Sequence, residues 1–164
     1  MCYFITSFNY EQQKDGEIMK RIFIIMLTIM SISSIVFAQD AKTYIADLDP
    51  SKDENTIIKA ADWLGENKEK GASTKLVALL TDRRDMVRLH AVQALGYIGE
   101  KDYVGSLNQV ILNDKNPTVR YAALLSTMRI KDDKSVPVWR QAKEKETDPF
   151  VLDLLTKLEA KEGK

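Results

Sequence analysis

Asp85-Met86-Val87-Arg88-Leu89-His90-Ala91-Val92 and Pro117-Thr118-Val119-Arg120-Tyr121-Ala122-Ala123-Leu124 are one phrase written twice, 32 residues apart. Val87 falls on Val119, Arg88 on Arg120 and Ala91 on Ala123. The register continues downstream, with Tyr103-Val104 on Ser135-Val136 and Leu107 on Trp139. Adding 32 again reaches Pro149-Phe150-Val151 and then Leu154-Leu155. A fixed period of this length marks stacked repeats, none of which buries its apolar face alone. The chain therefore reads as a repeat scaffold that binds something, with the partner unspecified.

The period within each copy is helical. Val87, Ala91, Ala94, Leu95 and Ile98 form one apolar stripe at helical spacing. Gly99 is expected to close that helix and Asp102 to cap the next, whose stripe is Val104, Leu107 and Ile111. Asn116-Pro117 supplies a cap residue followed by proline at the first helical position, where its missing N–H costs nothing. Asp148-Pro149 repeats the device. The third pair sets Val119, Ala123 and Ile130 against Val136, Trp139 and Ala142, and Phe150 to Lys161 makes a closing helix with Val151, Leu154, Leu155 and Leu158. Upstream, Ser51-Lys52-Asp53-Glu54 reads as a capping box. It opens a helix carrying Ile57, Ile58, Ala61 and Leu64, which Gly65 and the polar run to Gly71 end. A second helix follows with Ala72, Leu76, Leu79 and Leu80. Tyr44, Ile45 and Leu48 are expected to form one helical turn against the first repeat. No stretch alternates with period two, so the fold is all-α: a right-handed α-solenoid of about three helix pairs plus a closing helix.

Asp82…Val87-Arg88…Ala91-Val92…Ala94-Leu95-Gly96-Tyr97-Ile98-Gly99 resembles a HEAT repeat, in particular the short form found in phycobilisome lyases and many bacterial proteins. Asp114…Val119-Arg120…Ala122-Ala123-Leu124 resembles the next copy. The resemblance implies a ladder in which Asp82 and Asp114 end repeats and Arg88 and Arg120, six residues on, pair between them. The first copy (Thr56-Ile57…Ala60-Ala61…Trp63-Leu64-Gly65) slips by one residue and puts Ile57 where arginine would stand; the last has Leu152 there. Terminal repeats cap the stack and are expected to be atypical. The repeat domain spans 53–161, in copies near 53–84, 85–116, 117–148 and 149–161, with 39–52 as a lead-in. Ankyrin and tetratricopeptide periods are close, but Thr-Pro-Leu-His and the spaced Trp, Leu-Gly and Tyr are missing.

The chain's 24 basic and 24 acidic residues balance, so no net field recruits nucleic acid or an anionic membrane. The sole cysteine, Cys2, excludes a disulfide framework and a CxxC site. Residues 22–37 are apolar and uncharged, preceded by Lys20-Arg21 and followed by Val36-Phe37-Ala38 with small residues where a signal peptidase cuts. Segment 19–38 therefore reads as a signal peptide cleaved after Ala38, and the mature chain as periplasmic or secreted. The run falls short of the roughly 20 residues of a membrane span; an uncleaved N-terminal anchor is the alternative. Residues 1–18 read as an upstream extension, with synthesis expected to begin at Met19.

His90, the only histidine, lies in the row that becomes Ala122 and Leu154, and reads as a half-buried structural residue. A Cys/His metal site or a Ser-His-Asp triad would have to rest on it alone. Asp132-Asp133 lacks the calcium-loop pattern, and no glycine-rich phosphate loop occurs. No enzyme activity, cofactor or metal is expected. The run Lys143-Glu144-Lys145-Glu146 reads as a solvated helix face, and Trp63 and Trp139 as core.

In stacked helix pairs the second helices line one continuous surface. Helical phase gives its outward rows: Thr74, Ser106, Val138; Val77, Gln109, Gln141; Thr81, Asn113, Lys145. They are nearly uncharged, unlike a nucleic-acid groove; plain solvated surface is the alternative. The expected function is an exported, monomeric, non-catalytic scaffold that binds a protein, with neither nucleic acid nor membrane as partner once the signal is removed. The other reading, implied by the lyase resemblance, is an accessory or chaperone-like subunit acting on a ligand-bearing protein. Mass spectrometry of the protein from its native host is expected to find Gln39 at, or within a few residues of, the mature amino terminus. An intact Lys20–Ala38 segment in membranes would establish the anchor instead.

Overall fold

Proline has no backbone N–H to donate and is tolerated in the first turn of a helix, so Pro117 and Pro149 mark where helices begin. The computed structural model describes residues 40–162 together with Lys20 and Met26. The signal segment and the upstream extension lie outside the described residues apart from those two. After a helical stretch at 40–47 (α1) come α2 (Glu54–Glu66), α3 (Ser73–Leu79), α4 (Asp85–Ile98), α5 (Val104–Asn113), α6 (Pro117–Ile130), α7 (Val136–Lys143) and α8 (Pro149–Glu162). Among the described residues there is no strand.

Local chemistry sets these boundaries. Asn116 Oδ1 accepts from the Thr118 N–H at 2.9 Å, and Asp148 Oδ1 accepts from Phe150 and Val151, so both Asx-Pro caps form as expected. The α2 cap is Asp53 rather than Ser51: Asp53 takes the Thr56 N–H at 3.0 Å and the Thr56 hydroxyl at 2.6 Å. Ser51 belongs to the preceding turn, donating its N–H to Asp49 Oδ1. Left-handed residues end the first helices at Lys68, Gly99 and Lys131, with φ of 53°, 80° and 56°, a conformation glycine adopts without steric cost. Gly65 is therefore not the terminator of α2. Asp102 does not cap α5 either. Each second helix is entered through a 3₁₀ turn (Lys70–Ala72, Lys101–Tyr103 and Asp133–Ser135). Asp132 and Glu69 cap the outer two through Lys134 and Gly71 N–H. At the middle turn Glu100 instead accepts from the buried Ser73 hydroxyl at 2.6 Å.

The elements form two layers. First helices α2, α4, α6 and α8 pack in succession, and each second helix packs on the first helix of the next pair: α3 on α4, α5 on α6, α7 on α8. Three helix pairs and a closing helix make an α-solenoid. Its core runs through Ile57, Leu64, Leu76, Leu79, Val87, Leu107, Ile111, Val119, Leu124 and Leu155, all essentially without exposure. The lead-in is longer than one turn. It buries Leu48 and stacks Tyr44 on Trp63 at 4.6 Å between ring centroids.

Small residues draw the first layer together. A Cβ on Gly65 would stand 2.8 Å from Ala94 Cα, and one on Gly96 would stand 2.4 Å from Ser126 Oγ and 2.9 Å from its Cα. Ala94 and Ser126 are one repeat apart, so the same crossing is built twice. Gly105, by contrast, has open space around it. Gly96→Ala is expected to cost about 1–2 kcal/mol net, overpacking outweighing the gain in helix propensity. Gly105→Ala should gain about 0.5–1 kcal/mol. Urea denaturation should thus give shifts of opposite sign for one chemical change; equal shifts would contradict the close crossing.

Candidate protein-interaction face

Three guanidinium groups hold the loops that follow the second helices. Arg88 grips both Asp114 carboxylate oxygens, from Nε at 2.7 Å and Nη2 at 2.9 Å, while its Nη1 donates to the Asp82 carbonyl at 2.8 Å. Arg120 repeats this on Glu146, at 2.8 and 2.6 Å, and on the Asp114 carbonyl at 2.8 Å. Arg84 makes a related clamp in the first repeat: Nε and Nη2 take the Asp82 carboxylate, Nη1 donates to the Lys52 carbonyl at 2.8 Å, and Nη2 also reaches the Pro50 carbonyl at 3.1 Å. Each clamp thus joins a carbonyl at one loop (50, 82, 114) to a carboxylate one period later (82, 114, 146). Its planar fork matches a carboxylate bidentately.

The expected ladder holds for Arg88 and Asp114 and needs correction elsewhere. Asp82 gives Arg88 only its main-chain oxygen, because Arg84 occupies its carboxylate. In the first copy, which is one residue out of register, Ile57 stands where Arg88 stands in the next, as Gly65 stands for Gly96, and Arg84 supplies a guanidinium from the following loop. Glu146 leaves the supposed solvated charge run: its side chain is 4% exposed, as Asp114 plus 32 would have indicated. Lys143 of that run pairs with Glu159. Arg84 holds the Asp82 carboxyl below its ordinary range, and Arg120 does so for Glu146. Asp85 is lowered to about 2, first by the Asn116 side-chain amide and then by Arg88.

These loops frame the second-helix side. Thr74, Thr81, Gln109, Asn113, Gln141 and Lys145 are exposed there, whereas Val77, Ser106 and Val138 are half-buried. Val77, Thr81, Ser106, Gln109 and Asn113 line a cavity of about 600 Å³ between α3 and α5. Asn113, Gln141 and Lys145 line one of about 300 Å³ between α5 and α7. The difference has a packing cause: α5 lies against α7, and no comparable packing joins α3 to α5. Thr74 lies outside both cavities, its hydroxyl 3.3 Å from the Tyr103 hydroxyl.

A family model of HEAT repeats matches residues 73–156, over half of the chain. The chain belongs to the HEAT repeat family. No curated protein matches it. The match begins at α3 and leaves out α2, the helix whose arginine slot is filled from elsewhere. HEAT repeats form a scaffold fold, typically non-enzymatic, and commonly mediate protein–protein interaction.

The remaining candidates are structural in this HEAT protein. His90 Nδ1 lies 2.5 Å from Asp62 Oδ1, tying α4 to α2. Trp139 is half-buried and its Nε1 donates to Thr127 Oγ1 at 3.2 Å. Among the described residues no three His, Cys, Asp or Glu side chains are grouped to hold a metal ion, and no helix is long and apolar enough to cross a membrane.

Removing one partner of a buried ion pair leaves an uncompensated charge, so Arg88→Met should cost about 3–5 kcal/mol in urea denaturation at neutral pH. The acid limb carries the same signature. Asp85 titrates near 2 folded and at its ordinary 3.8 unfolded, so its contribution is full above 3.8 and disappears as pH falls towards 2. The parent should lose stability through that window and Arg88→Met should lose less; matching acid slopes would exclude the linkage.

Proposed function

We propose that this HEAT protein is an exported, monomeric, non-catalytic scaffold that holds a protein partner on its second-helix side. The observation that carries the reading is the cavity of about 600 Å³ between α3 and α5, formed where loops are held rigidly by the arginine clamps. Five outward residues expected from helical phase line it, which supports the second-helix side as the docking surface. Preformed concavities with a few polar groups are where ligands and partner segments bind. The non-catalytic part rests on how the charged groups are used: Asp82, Asp114 and Glu146 hold loops, and the one imidazole bridges two helices. Export rests on the segment 19–38, with its basic start, apolar run and small-residue boundary.

A photo-crosslinking side chain placed at Gln109, inside the cavity, tests the face in cells. The same probe at Leu125, exposed on α6, serves as the comparison. Gln109 is expected to capture a discrete protein and Leu125 none. The reverse pattern would move the interface to the first-helix side.

A further inference from the structure

The chain is neutral overall, yet the exposed charge of its second-helix side is predominantly positive. Along α3, α5, α7 and the loops after them, Lys75, Arg83, Lys115, Arg140 and Lys145 are exposed and Glu144 is the single exposed acid. The clamps produce this asymmetry. Asp82, Asp114 and Glu146 would balance those cations, but their side chains are 5%, 5% and 4% exposed and are given over to arginine. Arg83 and Lys145 form no ion pair with the described residues. Lys115 reaches Asp85 only at 3.4 Å and keeps 70% exposure, a geometry worth little in water.

Two of these cations repeat in register, and the third, Lys145, stands two residues before the next register position, Thr147. Arg83 and Lys115 occupy the same loop position one repeat apart, and both line the cavity between α3 and α5. Lys145 lines the next cavity along. Between them lie apolar Val77 and Val110 and the amides of Gln109, Asn113 and Gln141. The first helices pack in succession, about 8–10 Å apart, so the repeats advance by roughly that step, and a segment in the polyproline II conformation completes one turn in three residues, about 9 Å. One cation per repeat therefore meets one acidic side chain at about every third residue, all on one face of the segment. A side-chain amide offers both donor and acceptor, which matches a peptide main chain better than an acceptor-only phosphate backbone. No exposed aromatic ring stands among these positions to stack a base.

We propose that this side takes an extended acidic segment of a partner protein. Its carboxylates pair with Arg83, Lys115 and Lys145, and its main chain lies along the cavity between α3 and α5. The proposal rests on the second-helix side being the docking surface and adds the chemistry of what docks.

Fluorescence anisotropy tests it with the full chain and a labelled peptide of about nine residues, glutamate at every third position and serine or alanine between. The glutamate peptide is expected to bind, and to weaken as salt screens the pairs. Its glutamine counterpart should bind about ten-fold more weakly or worse, and so should the glutamate peptide to Arg83→Glu/Lys115→Glu. Both replaced side chains are exposed, so an unchanged melting temperature accompanies that loss. Absence of binding by the glutamate peptide overturns the proposal, as does equal binding by the glutamine peptide or by the double variant. Preference for an oligothymidylate of similar length overturns it in favour of a nucleic-acid surface. Failure of the acidic class is separable from failure of the face. If the Gln109 probe captures a partner through a segment without acids, the face stands and the acidic class falls. If only Leu125 captures, both fall.

Discussion

A guanidinium group carries five N–H donors in one plane and stays charged, so taking it out of water obliges the chain to surround it with acceptors. That obligation organises this molecule. Arg88 is surrounded by the Asp82 carbonyl, the Asp114 carboxylate and the Asp85 carboxylate, and the first two tie loops at one repeat's separation. Arg120 imposes the same distance on the next pair of loops. The period of 32 residues is thus a bonding condition as well as a pattern of apolar residues. A residue added to either loop would move a carboxylate off its fork.

The helices were legible because their signals are local. An Asx residue before proline, a glycine after the last apolar position and a stripe of Val, Ala and Leu act within a few residues of chain. Features that depend on a neighbour were read less well. Gly65 looks like a terminator in isolation, and only the approach of Ala94 reveals why no side chain stands there. Asp53 and Ser51 are both good caps, and the turn through Asp49 decides between them. Glu146 was hidden by alternating charges, although the register alone points to it. Arg84 lies outside the repeat pattern altogether, because it substitutes for an arginine that the first copy lacks. The outward rows were legible from phase, whereas the unequal cavities depend on how far second helices stand apart.

The two layers respond differently to the same repeat. Glycine against alanine or serine lets the first helices approach closely, with backbone near backbone. The second helices carry no such pairs, and α3 and α5 leave room between them. Close packing on one side and open space on the other come from the same 32-residue unit. The spent carboxylates then decide the sign of what remains exposed beside that space.

The direction of each clamp along the chain also orders how the molecule can assemble as it leaves a ribosome. Arg84 has all its partners behind it, at Asp82, Lys52 and Pro50, so its clamp needs no residue still to come. Arg88 and Arg120 find their carbonyls six residues behind but their carboxylates 26 residues ahead. Each waits for the rest of its own helix pair to appear before it closes. In a chain that appears from its amino end, the partners of the three clamps therefore become available in order, one repeat at a time.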